Sequence, residues 1–137
     1  MRSLLKVATL FSPNPAQYLP HRHPFLMLDR VLEHNPGESA AGRYRTSCST
    51  QYIPQSFLLE ILAQLSGIAA AMMEGEGGFL AAVDHAKFGR LPEPGDTFEV
   101  SARIVKSFGR LCLVQGTVTV GDEELLNANL TLGVGRL

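Results

Sequence analysis

The stretch PQSFLLEILAQLSGIAAAMM, Pro54–Met73, decides how the rest of the chain is read. It runs twenty residues with a single charged side chain, Glu60, and is dominated by Leu and Ala with few β-branched residues. That composition favours helix over strand, and Pro54 suits the first helical turn. The breaker cluster Glu74-Gly75-Glu76-Gly77-Gly78 stops it. A membrane span needs about 20 predominantly apolar residues. Gln55, Ser56, Glu60, Gln64 and Ser66 put too many polar groups into its first thirteen residues for that role. A helix apolar on all sides in a soluble chain is one wrapped by the remainder of the protein.

What wraps it is legible on either side. Residues 25–33 (FLMLDRVLE) read as a strand closed by Pro36-Gly37, with Ala40–Thr46 as its hairpin partner. After the helix, Phe79–Phe88 is a candidate strand, followed by the turn at Leu91–Asp96. In Thr97–Val105 the residues Phe98, Val100, Ala102 and Ile104 alternate with Thr97, Glu99, Ser101 and Arg103, the period of a half-buried antiparallel strand. Leu111–Val120 and Leu125–Val134 repeat the pattern around Gly121-Asp122. One apolar helix among antiparallel strands is an α+β arrangement. A single domain over residues 1–137 is expected, with 1–20 as a lead-in punctuated by Pro13, Pro15 and Pro20.

Charge and cysteine content narrow the function classes. The 137 residues carry 12 basic and 13 acidic side chains, and only 7% are aromatic with no Trp. Nucleic-acid and membrane-surface binding, which need basic patches or stacking platforms, are disfavoured. Cys48 and Cys112 lie outside any CxxC or Cys/His cluster. They read as two free, buried thiols in a reducing compartment. The first residues lack the sustained apolar core of a signal peptide, so a cytoplasmic location is expected.

Few positions carry chemistry. Glu60 has two readings: an acid in the early turns of a helix that faces solvent, or a general acid/base held in a greasy pocket. Gln64 lies one turn later at i,i+4 and can hydrogen-bond to it. His21 and His23 could ligate a metal only if further ligands converged, so no metal and no cofactor are expected. Gly75–Gly78 lacks the Lys and Ser/Thr of a phosphate loop.

Three motifs in order carry a resemblance: YLPHRHPFLMLDRV (Tyr18–Val31), Pro54 followed by FLLEILAQ (Phe57–Gln64), and VDHAKFGR (Val83–Arg90) ahead of Pro94-Gly95-Asp96. They resemble the 3-hydroxyacyl-(acyl carrier protein) dehydratases of fatty acid synthesis, a hotdog-fold family. The resemblance spans residue 18 to about 105; beyond it the strands match in pattern only. It implies a helix wrapped by an antiparallel sheet, a dimer with two active sites at its interface, and an acyl thioester substrate on acyl carrier protein or coenzyme A. By position Glu60 is then the catalytic carboxylate and Gln64 its support. Phe57, Phe88 and His23 are expected at the substrate. Lys87, Arg90, Arg43 and Arg45 are candidates to receive an acidic carrier protein.

One departure changes the mechanism. The family carries a Gly-His-Phe-Pro loop before its helix, whose His is the catalytic base. Here the stretch is Thr46-Ser47-Cys48-Ser49-Thr50-Gln51-Tyr52-Ile53-Pro54, and no histidine lies between His34 and His85. Loss of a positioned base is worth on the order of 10²–10⁴-fold. Three readings follow. A dehydratase could use a substitute for the His, with Tyr52, Cys48, His21, His23 and His85 as candidates. A thioester hydrolase could work with Glu60 alone. A half-site subunit could pair with a His-bearing hotdog chain in place of a homodimer.

Overall fold

The structure, a computed structural model, describes residues 11–23, 25–48, 52–72 and 75–136. Six strands form one antiparallel sheet: β1 (Arg30–Asn35), β2 (Ser39–Arg45), β3 (Glu76–Phe88), β4 (Thr97–Phe108), β5 (Leu111–Val120) and β6 (Glu123–Arg136). Their order across the sheet is β1-β2-β4-β5-β6-β3. The helix α1 (Gln55–Ala70) packs against this sheet and touches all six strands. Pro54, in extended conformation, starts it, and extended backbone at Ala71 ends it. A short 3-10 turn, Pro15–Gln17, capped by the Asn14 side chain, is the only helical piece described before β1.

The sheet wraps the helix because β4, β5 and β6 each present one apolar row to it. Phe98, Val100 and Ala102 of β4, Val114 and Val118 of β5, and Leu126, Ala128, Leu130 and Leu132 of β6 are buried. They meet Leu58, Ile61, Leu62, Leu65 and Ile68, all fully buried on the helix. Two backbone approaches set the fit. At Gly116 an added Cβ would collide with a methyl of Leu62 and lie 2.8 Å from the Ser101 carbonyl. At Gly78 it would stand 3.3 Å from the Gly67 Cα, so helix and β3 touch main chain to main chain there. Positive φ at Gly37 and Gly121 closes the β1–β2 and β5–β6 turns.

Three expectations change. The first strand begins at Arg30 rather than Phe25, because the backbone of residues 25–27 bonds to a helix side chain instead of a neighbouring strand. Cys112 is buried as expected, but Cys48 is exposed, since it falls in the turn after β2 and outside the sheet. The helix stops at Ala70; Met73 and Glu74, where its end was expected, lie outside the described residues.

The free edges differ in kind. β3 sits at one margin with its outer half beyond the cover of α1: Leu80 and Val83 pair with the inward Leu132 and Leu130, yet stay 41% and 40% exposed. Phe79, 66% exposed, lays its ring over Gly133 on the opposite face. A 13-residue edge strand with apolar side chains on both faces is a template for another strand.

Candidate active site

Glu60 lies in the second turn of α1 and is half-buried. Helical geometry sets Gln64 directly after it on the same face, and the Gln64 Nε2 donates to Glu60 Oε2 at 3.0 Å. Gln64 itself is 3% exposed, so its polar atoms require partners. It finds them in the preceding loop: Nε2 also donates to the Phe25 carbonyl at 2.8 Å, and Oε1 accepts from the Met27 N–H at 2.9 Å. The carboxylate is thus held at a fixed place beside the helix N-terminal half. It is neither free in solvent nor sealed in the core.

Around the start of α1 three segments converge. The Thr46 N–H and hydroxyl both donate to the Asp96 carbonyl, at 2.9 and 2.8 Å. The Gln55 side chain reaches the Gly89 carbonyl at 3.4 Å. Asp96 in turn takes Arg90 through Nη1 at 3.0 Å and the Glu93 N–H at 2.8 Å. Burial pushes the Asp96 carboxyl up, but the Arg90 and Glu93 hydrogen bonds and the Arg90 charge outweigh it and hold it below the ordinary range. Arg90 also donates to Glu123 at 2.9 Å, tying the turn after β3 to the β5–β6 hairpin.

The other expected site residues are scattered. Phe57 is half-buried in an aromatic cluster with Tyr44 and Phe98, at 5.2 and 6.3 Å between centroids. Phe88 is half-buried at the end of β3, opposite Leu126. Tyr52, two residues before the helix N-cap, is 78% exposed. His23 is exposed in the loop ahead of Phe25, and His85 is exposed on β3, where it meets only its neighbour's Asp84 carbonyl. Among the described residues no histidine hydrogen-bonds to Glu60, and no three metal-ligating side chains cluster. Of the loop that precedes the helix, residues 49–51 lie outside the described residues. Arg43 and Arg90, two of the carrier-protein candidates, are engaged with Glu99 and with Asp96 and Glu123.

The sequence placed Glu60 and Gln64 on one helix face, within hydrogen-bond reach, but not the Phe25 and Met27 main-chain groups that hold Gln64, 39 and 37 residues away from it. No side-chain pattern reports which backbone atoms a loop will present. A cavity of about 520 Å³, lined by Ala70, Met72, Ile104, Arg110 and Val134, lies at the other end of α1. Ten residues of helix, about 15 Å at 1.5 Å per residue, separate Ala70 from Glu60, so this cavity is not the Glu60 site.

A six-stranded sheet wrapped around one helix defines a hotdog protein, and this one carries a braced carboxylate in that helix. Comparison with known proteins makes the class specific. No family model matches the chain. The 3-hydroxyacyl-(acyl carrier protein) dehydratase FabZ of Latilactobacillus sakei is 34% identical over 126 residues, 82% of this chain and 90% of the relative. That of Clostridium acetobutylicum is 34% identical over 128 residues, 84% and 91%. Among solved structures, a chain of the dehydratase heterocomplex ApeI:P from Xenorhabdus doucetiae superposes with a TM-score of 0.77 at 15% identity, over 93% of each chain. A hypothetical thioesterase with coenzyme A from Streptococcus pneumoniae gives 0.65 at 13%, over 77% of this chain and 84% of that one. This chain belongs to the 3-hydroxyacyl-(acyl carrier protein) dehydratase family.

Proposed function

We propose that this chain takes part in removing water from a 3-hydroxyacyl thioester, with Glu60 as its proton-transfer group. The observation that carries this reading is the half-buried Glu60, oriented by Gln64, in a chain that belongs to the dehydratase family. In the elimination the α-carbon loses its proton and the β-carbon loses its hydroxyl, forming a trans or cis double bond and one water. A base must take the α-proton and an acid must protonate the departing hydroxyl. A carboxylate that accepts the first proton and delivers it to the hydroxyl balances the reaction by itself; an imidazole beside it divides the labour.

A second reading is favoured by the sequence of the loop before α1, Thr46–Pro54, which contains no histidine. Here the base comes from another hotdog chain paired along β3, whose exposed Leu80, Val83 and Phe79 offer an unfilled strand edge. A chain of this fold occurs in the dehydratase heterocomplex ApeI:P, which supports looking for an unlike partner. Acyl carrier protein or coenzyme A would carry the substrate, with Lys87 and Arg45 as the carrier-facing bases that no described carboxylate engages in an ion pair. A cytoplasmic setting fits that substrate.

The test offers 3-hydroxyacyl and saturated acyl thioesters, on carrier protein and on coenzyme A, to wild type and Glu60→Gln. Enoyl product is expected from wild type, with a loss of at least about 10²-fold in the variant. Activity that arises only on co-expression with a His-bearing hotdog chain supports the second reading. Release of free thiol from saturated substrates points instead to hydrolysis. Equal turnover by Glu60→Gln removes Glu60 from the chemistry.

A further inference from the structure

Both N–H groups of the Gln64 carboxamide are used. Its nitrogen has two hydrogens and two acceptors, the Phe25 carbonyl and Glu60 Oε2; its oxygen has one donor, the Met27 N–H. Turning the amide over would set its oxygen against two oxygens and its NH2 against an N–H, breaking all three bonds at a buried site. The loop that supplies the Phe25 and Met27 groups is braced by itself. The Phe25 and Leu26 N–H groups both donate to the Arg22 carbonyl, at 2.7 and 3.1 Å, and the Arg22 guanidinium returns a bond to the Leu19 carbonyl at 2.7 Å. The Asp29 N–H donates to the Arg43 carbonyl of β2 at 2.9 Å.

The direction of the Gln64 amide is therefore set from the loop and not from Glu60. We infer that the backbone of residues 25–27, acting through Gln64, fixes Oε2 of Glu60 as a permanent acceptor and leaves Oε1 as the oxygen that gives and takes the proton. A proton on Oε2 would face the Gln64 N–H, donor against donor. Gln64 is a positioning residue in this scheme: it reaches no substrate, and its contribution passes entirely through Glu60. The inference rests on the reading of Glu60 as the proton-transfer group, and its geometric half can be measured without turnover.

The experiment compares Gln64→Met, which keeps the volume and removes all three bonds, with Glu60→Gln and with the double variant. The Gln64→Met change is expected to lower kcat about 10–100-fold with KM nearly unchanged, since the carboxylate is displaced and not the binding surface. In the Glu60→Gln background the same change should cost less than about twofold, because nothing remains for Gln64 to orient. Additive losses in the double variant overturn the inference. Independently of activity and of how well Gln64→Met folds, the two side-chain amide hydrogens of Gln64 are followed by nitrogen-15 NMR in wild type and Glu60→Ala. Two separate, slowly exchanging signals are expected, of which Glu60→Ala moves one and leaves the other. Movement of both, or of neither, overturns the clamp. A wild type without turnover but with this one-sided shift removes the catalytic reading while the clamp stands.

Discussion

Leu62 points into the space that a side chain at position 116 would fill, and the pair shows how tightly single residues are specified. Leu62 is fully buried, and a Cβ at Gly116 would strike its methyl and the Ser101 carbonyl. Leu62→Ala is expected to cost about 2–5 kcal/mol, and Gly116→Ala about 1–3 kcal/mol from overpacking. Urea unfolding of both variants checks this; a double variant less destabilised than the sum would identify the shared space. At this scale the sequence was informative where spacing alone sets proximity. Glu60 and Gln64 had to share a helix face, and they do. It was silent where proximity depends on the path of the chain. Nothing in Phe25–Met27 announces that its carbonyl and N–H groups will meet position 64, and its apolar letters read as the start of a strand over residues 25–33 for that reason.

Elements are held to one another by a few polar ties, two of which respond to pH. His34 on β1 joins its Nε2 to the Ile68 carbonyl near the end of α1 at 2.9 Å, with the Tyr18 ring edge-on at 5.0 Å. Burial lowers its pKa below 6.5, and the bond to Ile68 only partly opposes this. The unfolded chain then binds the proton more readily than the folded one. The stabilisation from a neutral His34 is full above about pH 6.5 and is lost as pH falls toward the lower folded value. Asp96 acts in a separate, more acid window. Its folded carboxyl lies below the ordinary range, so its contribution is present above about pH 4 and disappears as pH falls through the folded value. Stability measured by urea unfolding from pH 8 downward should decline in two stages. His34→Gln should flatten the upper stage and Asp96→Asn the lower. An unchanged profile in either variant would remove that residue from the account. The strands that carry these ties were readable from alternation wherever the sheet has one wet face, as in Thr97–Ile104. Beyond Ile104, β4 runs past the helix and both faces are exposed, so the alternation fades while the strand continues to Phe108.

For the whole molecule, the open margin at β3 is the feature that bears on pairing in solution. Leu80, Val83 and Phe79 remain exposed on a strand whose outer hydrogen-bonding groups face no neighbour in the sheet order. We expect this edge to be covered by a second hotdog chain, so that the melting temperature rises with protein concentration. Leu80→Arg with Val83→Glu should abolish that concentration dependence and give the mass of one chain by light scattering. A wild type that is monomeric at all concentrations would remove the pairing. The architecture, one helix within an antiparallel sheet, was legible because helix and strands differ so sharply in composition. The sheet order was not, because β3 follows the helix in sequence yet lies at the far margin beside β6.

The contact between Gly67 and Gly78 joins these scales. Helix and edge strand meet there without an intervening side chain, at a distance where an added methyl would stand 3.3 Å from the opposing backbone. Side chains absorb small displacements by changing rotamer; two backbones in contact have no such slack. The margin strand and the helix bearing Glu60 therefore meet with no side chain between them to take up a displacement, so a chain docked against β3 would press on the backbone of that helix.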